Sequence, residues 1–231
     1  KGMALSLCLI LSACSLTSES KTERLDTSLD KWQNVYNDGE ASLNNGEVAL
    51  ISKGNWFYLT KKKYADFIFE GEVKMPDPAN ITEYNNSGFI FRAQVRDSKK
   101  GGQEAYGYQA EIDPSKRKWS GGLYDQGRRK WLNPLHETRS NPDSDFKENL
   151  SPKWTDEKKS AFKANEWNKV KIECHGSEIK IFINNVLTTH VIDIKDKEGY
   201  IGIQHHGSKK YKKNGDKANS IFFRNLVVTE L

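Results

Sequence analysis

Two stretches decide the fold: Ser87-Gly-Phe-Ile-Phe-Arg-Ala-Gln94 and Tyr106-Gly-Tyr-Gln-Ala-Glu-Ile112. Both are rich in the aromatic and β-branched residues that suit strands, whose side chains alternate between two faces. On that period Arg92 shares a face with Ile90 and Gln94, and Glu111 shares one with Gln109. A long charged side chain in mid-strand is costly unless it meets solvent or a partner. Two neighbouring strands of this kind are therefore expected to line a polar groove on one face of a sheet.

Further strand signals flank the pair. Val48–Ile51, Trp56–Leu59 and Asp66–Met75 read as strands, the last with Phe67, Phe69, Val73 and Met75 opposite Glu70, Glu72 and Lys74. Trp167–Cys174 and Ile179–Ile183 read as a hairpin around Gly176-Ser177, and Asn184-Asn185 turns the chain into Val186–Ile192. Tyr200–His206 and Ser220–Glu230 close the series. Ser28–Tyr36 is expected to form a short helix with Leu29, Trp32 and Tyr36 on one side, and the polar segment Asn141–Lys163 an inserted loop or an excursion along a sheet edge. About ten to twelve strands, no long helix and no repeat predict an all-β fold, a two-sheet antiparallel β-sandwich of jelly-roll type.

The 231 residues suit one such domain, expected over 28–231. With 36% hydrophobic and 29% charged residues the chain is ordinary for a folded soluble protein. The net charge of +5 is dispersed, and its densest runs, Lys61–Lys63 and Lys209–Lys213, read as solvated loops, with contact to phosphate or an anionic glycan as the alternative. No recognition helix, RNA-binding aromatic motif or zinc spacing points to nucleic acid.

Residues 1–13 look like a signal peptide, a short apolar run behind Lys1 ending in Leu11-Ser12-Ala13-Cys14. That ending resembles the lipobox of bacterial lipoproteins. The resemblance implies lipidation of Cys14, a tether over 14–27, and an exported, membrane-anchored protein facing the periplasm or the cell surface. Cys174 then remains as the one thiol of the folded domain, and its alternation with Val170 and Ile172 reads as core.

In Tyr200-Ile-Gly-Ile-Gln-His-His206, Gln204 and His206 share a face, so they are expected to join Arg92, Gln109 and Glu111 if these strands lie side by side. Six motifs occur in order: Asn86–Arg92, Gly107–Asp113, Trp119–Tyr124, Glu166–Asn168, Gly199–Gly207 and Phe223–Leu226. Together they resemble the 3-keto-disaccharide hydrolase family, formerly a domain of unknown function, over roughly Leu43–Leu231. Asn184-Asn185 stands where that family commonly has Asn-Gly, and His205 where relatives often have another polar residue.

The resemblance implies a concanavalin-like jelly roll that cleaves glycosides oxidised to a ketone at C3. Such chemistry needs a base, an acid and a positive partner for the ketone oxygen. Glu111 and His206 are the expected acid–base pair, with either as the base, and Arg92 the electrostatic partner. Gln109, Gln204, Tyr124 and Asp125 are expected to bind sugar hydroxyls, Trp119 to stack on a sugar ring, and Arg129, after Arg128, to stand at the rim. An alternative is that Arg92 and Glu111 form only a cross-strand ion pair. No cofactor is called for. Glu111, His206 and Asp113 are metal-ligand types without a metal-ligand spacing, so the sequence leaves a divalent metal open. The rival reading of the whole is a non-catalytic carbohydrate-binding module on the cell surface, and a third is an interaction domain using Lys209–Lys213.

Overall fold

The computed structural model describes residues 21–77, 79, 83, 85–99 and 101–231. The expected signal peptide and Cys14 lie outside the described residues. In chain order the strands are β1 (Thr22–Arg24), β2 (Trp32–Gln33), β3 (Glu40–Asn44), β4 (Glu47–Ile51), β5 (Trp56–Tyr64), β6 (Phe67–Lys74), β7 (Ser87–Asp97) and β8 (Gln103–Ile112). Then follow β9 (Leu123–Gln126), β10 (Lys130–Asn133), β11 (Phe146–Asn149), β12 (Asn168–His175), β13 (Glu178–Ile183), β14 (Val186–Asp193), β15 (Gly199–His205) and β16 (Ile221–Glu230). Two short α-helices, α1 (Asp156–Ala161) and α2 (Lys209–Asn214), and a 3-10 turn at Leu29–Lys31 complete the elements among the described residues. Among the described residues no helix is long and apolar enough to cross a membrane.

The strands form two antiparallel sheets face to face. One runs β11-β14-β13-β12-β6-β16-β4-β3 with β1 added on β16; the other runs β10-β9-β8-β7-β15-β5-β2. Period-two patterning explains the layering: Phe67, Phe69 and Val73 of β6 and Val170, Ile172 and Cys174 of β12 are all fully buried, while the alternating Ile68, Glu70, Glu72, Lys171 and Glu173 are only partly covered. Phe89 of β7 meets Phe69 at 5.5 Å and Phe223 at 5.5 Å across the sandwich. Each such ring contributes roughly 1.5–3 kcal/mol by burial. Burial pushes the Cys174 thiol up to about 12, so it behaves as a small core residue.

β7 departs from simple alternation. A bulge between Phe91 and Gln94 places Arg92 at φ 43, in the left-handed region. Ile90 and Ala93 therefore both join the apolar cluster on the outer face of the sheet, and Arg92 turns away from that face. Gly199 on the neighbouring strand makes this possible, since a Cβ there would stand 2.2 Å from the Arg92 carbonyl carbon. The guanidinium is fully buried. It donates to Ala65 O (3.0 and 2.8 Å), Asp66 Oδ1 (3.0 Å), Gly176 O (2.7 Å) and Asp196 O (3.1 Å). These partners lie in the β5–β6, β12–β13 and β14–β15 connections, so one side chain holds three of them.

Other expectations are corrected. Ser28–Tyr36 is not a helix: a single 3-10 turn at Leu29–Lys31, capped by Ser28 Oγ on Asp30 N (3.1 Å), leads directly into β2. Trp32 is buried there, and its indole donates to Leu25 O (2.8 Å). The domain also starts earlier than residue 28, because β1 pairs with β16 and Leu25 is 1% exposed. The segment 141–163 runs along a sheet edge, the second of its two expected forms, and contributes the edge strand β11 and α1, whereas Lys209–Lys213 is not a loop but lies in α2, capped by Ser208 and closed by Gly215 at φ 76. Among the described residues sixteen strands form where about ten to twelve were expected, because short edge pairings such as β1, β2 and β11 carry little sequence signal.

Candidate active site

The side chains of β8 divide cleanly. Tyr108, Ala110 and Ile112 enter the core, which leaves Gln109 and Glu111 on the outer face of the seven-stranded sheet. Gln109 stands opposite Tyr124 of β9, and Tyr124 opposite Trp131 of β10, so both rings lie on that face. On the other flank β15 presents Gln204, with His206 just beyond its end. A pocket of about 380 Å³ results, lined by Asn86, Gln109, Glu111, Tyr124, Gln126, Trp131, Gln204 and His206, with Arg117 and Arg139 from the loops. A pocket of this size suits a small ligand.

An amide chain crosses its floor. Asn86 Nδ2 donates to Glu111 Oε1 (2.7 Å), and Gln109 Nε2 donates to Glu111 Oε2 (2.8 Å) and Gln204 Oε1 (2.9 Å). Gln204 Nε2 continues to Asn55 Oδ1 (2.7 Å). Among the described residues, the buried atoms Asn86 Oδ1 and Gln109 Oε1 have no protein partner. Glu111 is 4% exposed. Its two amide donors favour the carboxylate, yet loss of water outweighs them: burial pushes its pKa up to about 8, nearby Asp113 adds to the rise, and Arg117 opposes it. His206 is exposed at the mouth, but the surrounding wall removes enough water to hold its imidazole below the usual 6.5. At neutral pH the pocket thus favours a protonated acid beside an unprotonated base.

The expected set is only partly assembled. Glu111, His206, Gln109, Gln204 and Tyr124 converge. Arg92 does not: the bulge turns it to the connections described above, so it is neither the pocket's cation nor a partner of Glu111. Asp125 faces the opposite way, because it follows Tyr124 on the same strand and neighbours cannot share a face. It is fully buried and ion-paired to both Arg128 (2.8 Å) and Arg129. Arg129 is not a rim residue: it is 3% exposed and also reaches Asp193 (2.8 Å) and Asp143 (2.9 Å), tying β9 to the end of β14 between the sheets. Trp119 stands behind the pocket wall, edge-on to Trp131 at 4.8 Å, with Arg117 over both rings at 5.4 and 5.8 Å. Arg117, Gln126, Trp131 and Arg139 are lining residues that the sequence reading did not assign. Trp131 and Gln126 follow from registering β9 and β10 on β8; the two arginines lie on loops, where no periodicity marks them.

Asp113 does not complete a metal set with Glu111 and His206. Its carboxylate takes Arg117 Nε (2.9 Å) and the Ser115 backbone N–H (3.0 Å). No three His, Cys, Asp or Glu side chains gather as a metal cluster among the described residues. His205, next to His206, is a strut. Its ring is fully buried, with Nδ1 against Ser52 Oγ (2.9 Å) and the Gly207 N–H (3.0 Å), and Nε2 against Asn219 O (3.0 Å).

The floor depends on a missing side chain. A Cβ at Gly88 would lie 2.4 Å from Gln109 Nε2 and 2.9 Å from Ala110 O. Gly88→Ala is expected to push Gln109 off both of its acceptors and to lower stability by about 1–3 kcal/mol. Thermal unfolding checks this; an unchanged melting temperature would mean that Gln109 moves at no cost.

The model of the 3-keto-alpha-glucoside-1,2-lyase-like domain matches residues 23–229. The chain belongs to that family. No curated protein matches it. Solved structures share the sandwich of this 3-keto-alpha-glucoside-1,2-lyase-like domain at low identity. A Bacillus subtilis protein of unknown function with a galectin-like fold aligns with TM-score 0.55 and 11% identity, over 91% of this chain and 94% of that one. A candidate glycosyl hydrolase of Parabacteroides distasonis gives 0.50 and 13%, over 89% and 91%. The kappa-carrageenase of Pseudoalteromonas carrageenovora, solved with an oligotetrasaccharide of kappa-carrageenan, gives 0.50 and 9%, over 90% and 92%. At such identities the likeness is one of fold.

Proposed function

We propose that the pocket cleaves glycosides oxidised to a ketone at C3, with His206 as base and Glu111 as acid. The observation that carries this reading is Glu111: a carboxyl buried on a polar floor and holding its proton to about pH 8. The C3 ketone acidifies the hydrogen on C2. His206 takes that proton, and the C2–H electron pair forms the enolate. Its collapse makes the C1=C2 bond and breaks the C1–O bond, while Glu111 gives its proton to the departing oxygen. Water added across C1=C2 would complete a net hydrolysis. Arg117 and Arg139, in place of Arg92, supply positive charge for the enolate oxygen. Asn86 Oδ1 and Gln109 Oε1 are acceptors for sugar hydroxyls. Family membership supports the substrate class.

Incubation with a 3-keto-disaccharide and with its unoxidised parent tests this directly. Cleavage of the keto sugar alone is expected. Its kcat/KM should rise as His206 loses its proton below pH 6.5 and fall as Glu111 loses its own near pH 8. Cleavage of neither sugar by folded protein supplied with divalent metals would overturn the enzyme reading. Saturable binding without turnover would instead mark a carbohydrate-binding module, which the amide and aromatic lining would also suit.

A further inference from the structure

The loop joining β8 to β9 has the candidate pocket on one side and a second groove on the other. This groove, of about 470 Å³, is lined by Lys116, Lys118, Lys159 and Lys163, with Pro114 and Phe162 among its apolar contacts. All four lysines are exposed. Asp113, the acid in the lining, is held by Arg117 (2.9 Å), and Asp156 pairs with Lys159 (2.9 Å). Among the described residues no ion pair engages Lys116, Lys118 or Lys163. Lys118 sits at φ 54, where glycine would be unstrained, and Trp154 fixes it by donating from its indole to Lys118 O (2.9 Å).

We propose that this groove seats an oxyanion-bearing sugar, a sulfated or uronic acid unit, of the glycan whose glycosidic bond reaches Glu111. The substrate class is then an anionic glycoside; the choice of a sugar over other anions rests on the reading of the neighbouring pocket. Asp156, which pairs with Lys159, also feels the charge of Lys118, but one exposed carboxylate against four ammonium groups leaves a net positive groove that attracts sulfate or carboxylate. Pro114 and Phe162 suit the C–H face of a pyranose. A single-stranded nucleic acid fits less well, because the groove has one aromatic ring rather than a series for stacking successive bases.

Calorimetric titration with a dextran sulfate oligosaccharide, an oligogalacturonate and an unsulfated dextran of equal length tests the assignment. At least one anionic probe should bind about tenfold or more tighter than dextran. The triple variant Lys116→Gln/Lys118→Gln/Lys163→Gln should lose that preference. Lys209→Gln/Lys212→Gln/Lys213→Gln, which removes the same charge from α2, should keep it. Equal affinity for all three probes, or equal loss in both triple variants, would overturn the proposal. A single-stranded oligonucleotide that binds as tightly as the anionic glycan, and loses affinity in the first triple variant, would overturn the glycan assignment. Glu111→Gln should leave the preference intact. If keto-sugar cleavage fails while the preference holds, the enzyme reading falls and the groove stands.

Discussion

Arg92→Ala will cost the domain about 3–5 kcal/mol, the range for removing one partner from a buried charged cluster. The side chain is fully buried, and its removal deprives the carbonyls of Ala65, Gly176 and Asp196 of their shared donor and leaves Asp66 without its cation. Each orphaned buried acceptor costs about 1–3 kcal/mol, less where water can reach it. Arg92→Lys should recover only a minor part, because an ammonium group cannot reproduce a planar fork spanning three connections. Urea unfolding of the three proteins checks both statements, and a loss under about 1 kcal/mol in Arg92→Ala would refute the clasp. Where the variant is still folded, its activity per folded molecule should match the parent. A selective loss of turnover would return Arg92 to the catalytic role its position in the sequence suggested.

Glu111→Gln is expected to lower kcat/KM toward the keto sugar by about 10²–10⁴, the usual contribution of one acid–base group. The amide is nearly the same size, and a flip of Asn86, whose Oδ1 has no protein partner, would give the new N–H an acceptor, so the floor should keep its shape and ligand binding should survive. Stability moves the other way with pH. Folded Glu111 keeps its proton to about pH 8, whereas in the unfolded chain it ionises near 4.5. The folded form therefore holds the extra proton between those values. The contribution is fully present below about pH 4.5 and is lost as pH rises through about 8. Each pH unit in that window is worth at most about 1.4 kcal/mol. The parent should accordingly lose a few kcal/mol across it, and Glu111→Gln should lose that slope. Denaturant titrations at several pH values measure it; parallel curves for the two proteins would mean that Glu111 is ionised in the folded state.

Where strands are regular, the sequence carried the architecture. β6, β12 and β13 alternate without interruption, so one pass along them identifies core and surface. The same rule brought Gln109, Glu111, Gln204 and His206 to one face before their strands were placed side by side. It failed at Arg92, because the bulge that shifts the period depends on Gly199, more than a hundred residues along the chain. Asp125 illustrates a different error: two consecutive strand residues were both assigned to ligand, and only one face was available. Trp32 carried the spacing of a helix face, yet the slot beside β5 binds it in a two-residue strand. Arg117 and Arg139 owe their places to loop conformation, which no periodic pattern encodes.

The burial of Cys174 has a practical consequence. Its thiol lies in the core near Arg92 and is held protonated far above neutrality, so an alkylating reagent can modify it only after the sandwich opens. Its alkylation rate, followed by peptide-resolved mass spectrometry, is then a clock for that opening in the absence of denaturant. Every 1.4 kcal/mol of stability lost should make the clock run about ten times faster.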